Sequence, residues 1–261
     1  MRTVLVTGAS GGIGKEIARQ FAYHGYNVVL VARREELLKQ IKDEFEEEYK
    51  INVDYLACDI AKDPGVVYRF CKEKGYDVTV LVNNAGYGDY TSFVNADLDK
   101  LLGMIDLNDR ALVALTHYFV KDMKKLGYGQ IINVGSVASF MPGPYMAVYY
   151  ASKAFVMSFS MALREELKND KIKVSVLCPG PVSSGFWDVA DAGNTAMNRS
   201  PFTRTPSEAA VTGYSLFESG KAYAVDGRLN RFMVGLVRHL PLEVAARAVG
   251  FVQKKVKGKA N

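Results

Sequence analysis

Tyr149 and Lys153 stand four residues apart in Tyr149-Tyr150-Ala151-Ser152-Lys153. On a helix this spacing projects both side chains from one face, where an ammonium beside a phenol favours the phenolate and lowers its pKa. Such a pair handles protons near neutral pH. Alone, it also describes an ordinary solvated helix face, so its meaning depends on its company. Ser136 lies thirteen residues before Tyr149, and Asn108 sits in Asp106-Leu107-Asn108-Asp109. The chain opens on Thr7-Gly8-Ala9-Ser10-Gly11-Gly12-Ile13-Gly14 and carries Asn83-Asn84-Ala85-Gly86 in its middle.

Positioning these groups requires a scaffold, and the hydrophobic pattern supplies one. Thr3–Thr7, Asn27–Val31, Ile51–Ala57, Val78–Val82, Gln130–Val134 and Lys173–Leu177 read as strands, several apolar on both faces, and Ala222–Val225 reads as a seventh. Helical segments alternate with them, which implies an α/β fold: a doubly wound parallel sheet (Rossmann-type) of six to seven strands with helices on both faces. Arg34 to Tyr49 shows an ordinary packing stripe of Leu37, Leu38, Ile41 and Phe45. Asp97 to Leu126 reads as one long helix weakened at Gly103. Pro206-Ser207-Glu208 starts another, reaching about Ser219. All 261 residues are read as one domain, with a substrate loop over about 183–205 and a helical extension over about 228–256.

The glycine stretch follows the first strand and precedes a helix beginning near Ile13, the context of a phosphate-binding turn. Gly8 permits the tight turn, Gly12 lets the backbone approach a pyrophosphate, and Gly14 lets helix and sheet pack closely. The helix N-terminus then faces the negative charge. Where the second strand ends, Val31-Ala32 is followed by Arg33-Arg34, with no acid before Glu35. A carboxylate there would accept from ribose hydroxyls, whereas a cation accommodates a 2′-phosphate. The expected cofactor is therefore NADP(H), with Arg33 the main phosphate ligand and Ser10 a helper. Cations at a helix start oppose its dipole, which argues against a mere capping role.

Taken in this order and at these separations, the motifs resemble the short-chain dehydrogenase/reductase family from about Arg2 to Ser184, in a branch near ketosteroid and 3-oxoacyl reductases. The resemblance implies that Tyr149 gives the proton to a carbonyl oxygen, that Ser136 hydrogen-bonds the same oxygen, and that Lys153 supports Tyr149 and holds the nicotinamide ribose. It implies that Asn108 keeps a water beside Lys153, that Asn83 braces the sheet, and that the backbone of Ala85 and Gly86 passes the adenosine ribose. After the sixth strand come Pro179, Gly180 and Val182, whose backbone would hold the nicotinamide carboxamide. Asp59 resembles the residue at the adenine edge, and a plain helix cap competes with that role. Duller readings stand beside the others: Ser136 as a turn former rivalled by Ser139, Asn108 as a kink residue, Tyr150 as the pocket phenol.

Composition adds bounds. Hydrophobic residues at 49% and charged residues at 23% suit a globular chain of this size. Cys58, Cys71 and Cys178 are odd in number and lack C-x-x-C spacing, which favours reduced core thiols; His24, His117 and His239 lack metal-ligand spacing, so no metal is expected. The start of the chain lacks a secretion-signal pattern, which gives a cytoplasmic expectation. The net charge of +5 is concentrated in the tail, where nine Lys/Arg from Lys221 onward face only Asp226 and Glu243. No basic face with interleaved stacking aromatics supports nucleic-acid binding.

The expected substrate is a bulky, apolar carbonyl compound or its alcohol, lined by Tyr87–Tyr90, Phe140–Tyr145 and a loop holding Trp187, Met197 and Phe202. In the tail, Arg228–Leu240 and Leu242–Val256 carry apolar stripes of Phe232, Leu236, Val237 and Leu240, then Val244, Ala248, Phe251 and Val252. Their favoured role is packing over the cleft or against another subunit of a homodimer or homotetramer; contact with a membrane surface is the rival. The principal reading is an NADP(H)-dependent carbonyl reductase, reversible as an alcohol dehydrogenase. The alternative is a non-catalytic NADP(H)-binding sensor or scaffold.

Overall fold

A computed structural model describes residues 2–186, 190 and 202–257, with side chains placed to 254. The strands β1 (Thr3–Thr7), β2 (Asn27–Ala32), β3 (Val53–Ala57), β4 (Val78–Asn83), β5 (Gly129–Val134), β6 (Ile172–Cys178) and β7 (Tyr223–Val225) form one sheet. All pairings are parallel, in the order β3-β2-β1-β4-β5-β6-β7. Interior strands need apolar residues on both faces because helices cover both. In β1, Val4 and Val6 enter one core and Leu5 enters the other.

On one face pack α1 (Gly12–Tyr23), α2 (Glu35–Tyr49) and α7 (Pro206–Ser219), whose Phe21, Phe45 and Phe217 meet the strand valines. On the other face α3 (Gly65–Glu73) and α5 (Leu112–Leu126) bring Val67, Cys71, Leu115, Phe119 and Met123, while α6 (Ala147–Glu166) lies against β6. The start of α7 carries its own signal: Thr205 and Glu208 cap each other's backbone around Pro206.

The long helix expected over Asp97 to Leu126 is present from Leu98 onward but is not regular throughout. Between α4 (Leu98–Ile105) and α5 the chain makes a π-helical turn, Asp106–Ala111. Gly103 is not the weak point. Its missing side chain makes room for Tyr87, whose hydroxyl would sit 2.9 Å from an added Cβ and donates to Lys100 O at 2.6 Å. The irregularity falls instead around Asn108, where the amide bonds to a distant loop.

The tail is corrected too. In α8 (Arg228–Val237) and α9 (Leu242–Lys257) the buried positions include Asn230, Val234, Ala245 and Gln253, whereas Phe232, Leu236, Val244, Phe251 and Val252 are exposed. Asn230 turns inward because its amide donates to Phe202 O and Asp226 O, at 3.1 and 2.9 Å. Among the described residues no helix is long and apolar enough to cross a membrane.

Candidate active site

Strand order reverses between β1 and β4, so the loops after them diverge and leave a crevice at the carboxyl ends of the strands. A cleft of about 480 Å³ opens there, running from Arg33 and Asp59 at one end to Ser136, Tyr149 and Lys153 at the other.

At its centre the glycine turn is shaped by close approach. Gly8 has φ +66°, and a Cβ on Gly14 would meet Gly8 O at 2.4 Å. The N-terminus of α1 has no side-chain cap, and Gly12 and Ile13 line the cleft there. Thr7 Oγ1 accepts from the backbone N–H groups of Asn84 and Ala85 at 3.0 Å each, and Asn84 Nδ2 donates to Thr7 O at 2.9 Å. Asn84 therefore ties the β1 loop to the β4 loop, a role that sequence reasoning missed although the residue stood in the quoted motif. Asn83 braces the sheet: its amide donates to Asn133 Oδ1 at 2.9 Å and Thr116 Oγ1 at 3.1 Å. Ala85 and Gly86 line the cleft beyond it.

At the far end, Arg33 and Arg34 both reach the wall. The residue joined to Ser10 is Arg34, through Nε and Nη2 to Ser10 Oγ at 3.1 and 3.0 Å. The sequence reading makes Arg33 the main phosphate ligand and Ser10 a helper, and gives Arg34 no separate role. Asp59 lines the cleft and accepts from the Ala61 N–H at 3.1 Å inside a turn; it caps no helix, since α3 starts at Gly65 behind Pro64. No carboxylate ends β2, whose last residue is Ala32.

At the reacting end, α6 carries Tyr149 and Lys153 on one face, with Lys153 Nζ 5.8 Å from the Tyr149 ring centre. Lys153 Nζ donates to Val134 O at 3.0 Å, and burial lowers its pKa to about 8 despite the nearby charge of Asp109. Burial raises Tyr149 to about 12, partly offset by its hydrogen bond with Ser136. The expected lowering of Tyr149 by Lys153 does not show here: burial raises the phenol, and the ammonium is directed at Val134 O. The proximity of Tyr149 to Ser136 is as expected.

Ser136 follows β5 as a buried N-cap, its Oγ accepting from the Ala138 N–H at 3.1 Å and donating to Pro179 O at 3.5 Å. Ser139 Oγ accepts from the Ser136 N–H at 3.2 Å, so it supports Ser136 rather than replacing it. Pro179, Gly180 and Val182 line the adjoining wall, and a parallel bridge fastens Val182 to Arg204. Asn108 is buried in the π turn. Its Oδ1 accepts from the Tyr87 N–H at 3.1 Å, and its Nδ2 donates to Tyr87 O at 3.0 Å and Ser152 Oγ at 3.1 Å. The amide locks the β4 loop to α6 between Tyr149 and Lys153. A Cβ on Gly86 would lie 2.8 Å from Asn108 Oδ1 and 3.4 Å from Lys153 Nζ.

Two further residues escaped the sequence reading. Asp109 has a buried Oδ1 without a hydrogen-bond partner among the described residues, and burial raises its pKa to about 6 against the pull of Lys153. An acid beside Asn108 was the available signal. Gln253 in α9 donates to the Tyr150 hydroxyl at 2.9 Å, while Tyr90 donates to Gln253 O. Tyr150 is therefore turned to the tail, although it also borders the cleft. Around Tyr149 lies an apolar group of Tyr90, Met146, Ala190, Tyr145, Tyr150 and Phe186. Phe140 instead packs in a separate core with Tyr223, and Trp187 and Met197 lie outside the described residues. Cys58, Cys71 and Cys178 are free thiols, and no cluster of metal-ligating residues occurs among the described residues.

A glycine cradle that a Cβ would fill, an uncapped helix N-terminus and a cationic end together fit a phosphorylated dinucleotide. Fold and site thus define a dinucleotide-binding α/β protein with a phenol, a hydroxyl and a lysine gathered at the reacting end. A family model for short chain dehydrogenase matches residues 2–194. Very-long-chain 3-oxoacyl-CoA reductase from Kluyveromyces lactis is 37% identical over 191 residues, covering 70% of this chain and 55% of that protein. Human 17-beta-hydroxysteroid dehydrogenase type 3 is 36% identical over 187 residues, covering 70% and 59%. The chain thus spans little more than half the length of these two relatives. A short-chain dehydrogenase from Sphingobium yanoikuyae in complex with NADPH superposes with a TM-score of 0.82 at 29% identity, covering 92% of this chain and 96% of that one. The chain belongs to the short-chain dehydrogenase family.

Proposed function

We propose that this protein is an NADP(H)-dependent carbonyl reductase, reversible as an alcohol dehydrogenase, whose substrate is a bulky apolar ketone of the 3-oxoacyl or ketosteroid kind. One observation carries the reading: Ser136, Tyr149 and Lys153 converge at one end of a cleft whose other end presents Arg33, Arg34 and Ser10. When bound, NADPH supplies the hydride. Negative charge then develops on the carbonyl oxygen, where the Ser136 hydroxyl stabilises it and Tyr149 delivers a proton.

The high pKa of Tyr149 suits this direction. At about 12 the phenol stays protonated at any working pH, and an alkoxide is a stronger base than a phenolate, so the transfer runs downhill. Lys153, with a pKa of about 8, is charged at neutral pH and stabilises the phenolate left behind. Asn108 and Ser152 fix the two on α6, because Ser152 Oγ in turn donates to Tyr149 O at 2.8 Å.

Preference for the 2′-phosphate rests on two guanidiniums just past β2 and the Ser10 hydroxyl of the β1 loop, with no carboxylate ending β2. The apolar wall of Tyr90, Met146, Tyr150 and Phe186 favours a ketone flanked by large groups, in keeping with what the two relatives are named for.

The test is NADPH oxidation against 3-oxoacyl thioesters, ketosteroids and aromatic ketones, with Tyr149→Phe alongside. Turnover on one class should fall by roughly 10²–10⁴ in the variant. Full activity in Tyr149→Phe, or tight NADPH binding with no turnover on any class, defeats the reading.

A further inference from the structure

We infer that α8 and α9 form a docking surface for an anionic lipid bilayer. Each helix has two apolar stripes. In α8 the inner one is Met233, Val234 and Val237; the outer one is Leu229, Phe232 and Leu236, continued by Leu240 just past the helix, and Phe232 is 74% exposed. In α9 the inner side holds Ala245, Val249 and Gln253, while Val244, Phe251 and Val252 face outward, Phe251 being 72% exposed. Leu240 and Leu242 join the outer stripes across Pro241. Large apolar side chains repeated at helical spacing on the solvent side mark a surface made to be covered.

Charge selects the occupant. Arg228, Arg231, Arg247 and Lys254 are exposed on these helices, Arg238 being turned to Tyr223 and Phe140, and Glu243 is the one acid between Arg228 and the end of the chain. A second copy placed by a two-fold axis would bring this basic face against the same basic face. An anionic bilayer instead takes the leucines and phenylalanines below its headgroups and the cations at them.

The same helix that carries Phe251 and Val252 reaches the site. Gln253 donates to Tyr150, Tyr90 donates to Gln253 O, and a Cβ on Gly250 would lie 3.1 Å from Pro144. Docking would therefore hold the apolar wall of the cleft beside the bilayer, which suits loading of an apolar substrate from lipid; that last step rests on the reductase reading, whereas the docking itself does not.

Vesicle sedimentation of the full chain tests it without any catalytic readout. Vesicles of phosphatidylcholine with phosphatidylglycerol should pellet the protein, phosphatidylcholine alone much less, and added salt should release it. Phe232→Ser/Leu236→Ser/Phe251→Ser should weaken binding at least ~100-fold, since each inserted side chain is worth roughly tenfold, with an unchanged melting temperature. Arg228→Glu/Arg231→Glu/Arg247→Glu should abolish the preference for anionic vesicles. Failure of the full chain to bind anionic vesicles overturns the inference, as does equal pelleting of the serine variant. So does conversion of a dimer to monomers in the serine variant by light scattering, which would assign the face to a second copy.

Discussion

Replacing Lys153 by Met removes the amine on which the proposed chemistry depends, and it should make the cofactor-free protein more stable. The buried ammonium has its pKa lowered from 10.5 to about 8, a gap that corresponds to roughly 3 kcal/mol at about 1.4 kcal/mol per pH unit. That is the cost of keeping it charged in the folded state at neutral pH. Met fills similar space; the lost hydrogen bond to Val134 O offsets about 1 kcal/mol, and Asp109 without its cationic neighbour offsets somewhat more. A net gain of about 1–2 kcal/mol should raise the melting temperature by about 3–6 °C for a chain of this size. The sign has a pH signature. Between about 8 and 10.5 wild-type Lys153 has lost its proton when folded but retains it when unfolded, so wild-type stability rises through this window and the advantage of Met fades. Differential scanning calorimetry without cofactor at pH 7 and at pH 10 measures both. A variant that melts below wild type at pH 7, or a difference that stays constant with pH, refutes the claim that Lys153 is held charged against desolvation.

The cationic end of the cleft predicts cofactor choice: Arg33→Ala and Arg34→Ala should each raise the KM for NADPH about 10–100-fold while leaving that for NADH nearly unchanged, since each removes a charge-assisted bond worth about 1.5–3 kcal/mol. Equal effects on both cofactors would remove the 2′-phosphate assignment. Asp109→Asn tests the buried acid. Because the pKa of Asp109 is raised to about 6 when folded, its destabilising contribution grows as pH rises from 3.8 to 6 and is complete above that. The variant should match wild type in melting temperature at pH 4 and exceed it at pH 7. Without that carboxylate Lys153 loses its proton at lower pH, so the alkaline limb of the kcat/KM profile for reduction should move down; an unmoved limb would separate Asp109 from Lys153.

The sheet was legible because interior parallel strands demand apolar residues on both faces and glycine turns at their ends, conditions met locally by runs such as Thr3–Thr7. The π turn was not. Gly103 is the weaker helix former, so local propensity marked it as the break, yet its glycine is spent on making room for the Tyr87 hydroxyl. The irregularity belongs to Asn108, whose bonds reach Tyr87 and Ser152, 21 and 44 residues away, and no local pattern encodes such partners. The tail shows a related limit. Periodicity locates a stripe without saying which stripe is buried, and in α8 a polar residue, Asn230, takes an inward place because backbone carbonyls await its amide.

At the site, order and spacing identified Tyr149, Lys153, Ser136 and the glycine turn, since i and i+4 on one helix face must lie together. Spacing could not supply the sign of the Tyr149 shift. Proximity favours a lowered pKa, burial a raised one, and which prevails depends on where the ammonium points and how little water remains. Here Lys153 donates to Val134 O, its own charge is disfavoured, and the phenol is raised to about 12. In the proposed reaction, Lys153 would serve less to make Tyr149 acidic beforehand than to stabilise the phenolate once the proton has gone. There a bound substrate oxygen would supply the pull that removes it, so the proposal does not require the phenol to be acidic in the resting protein.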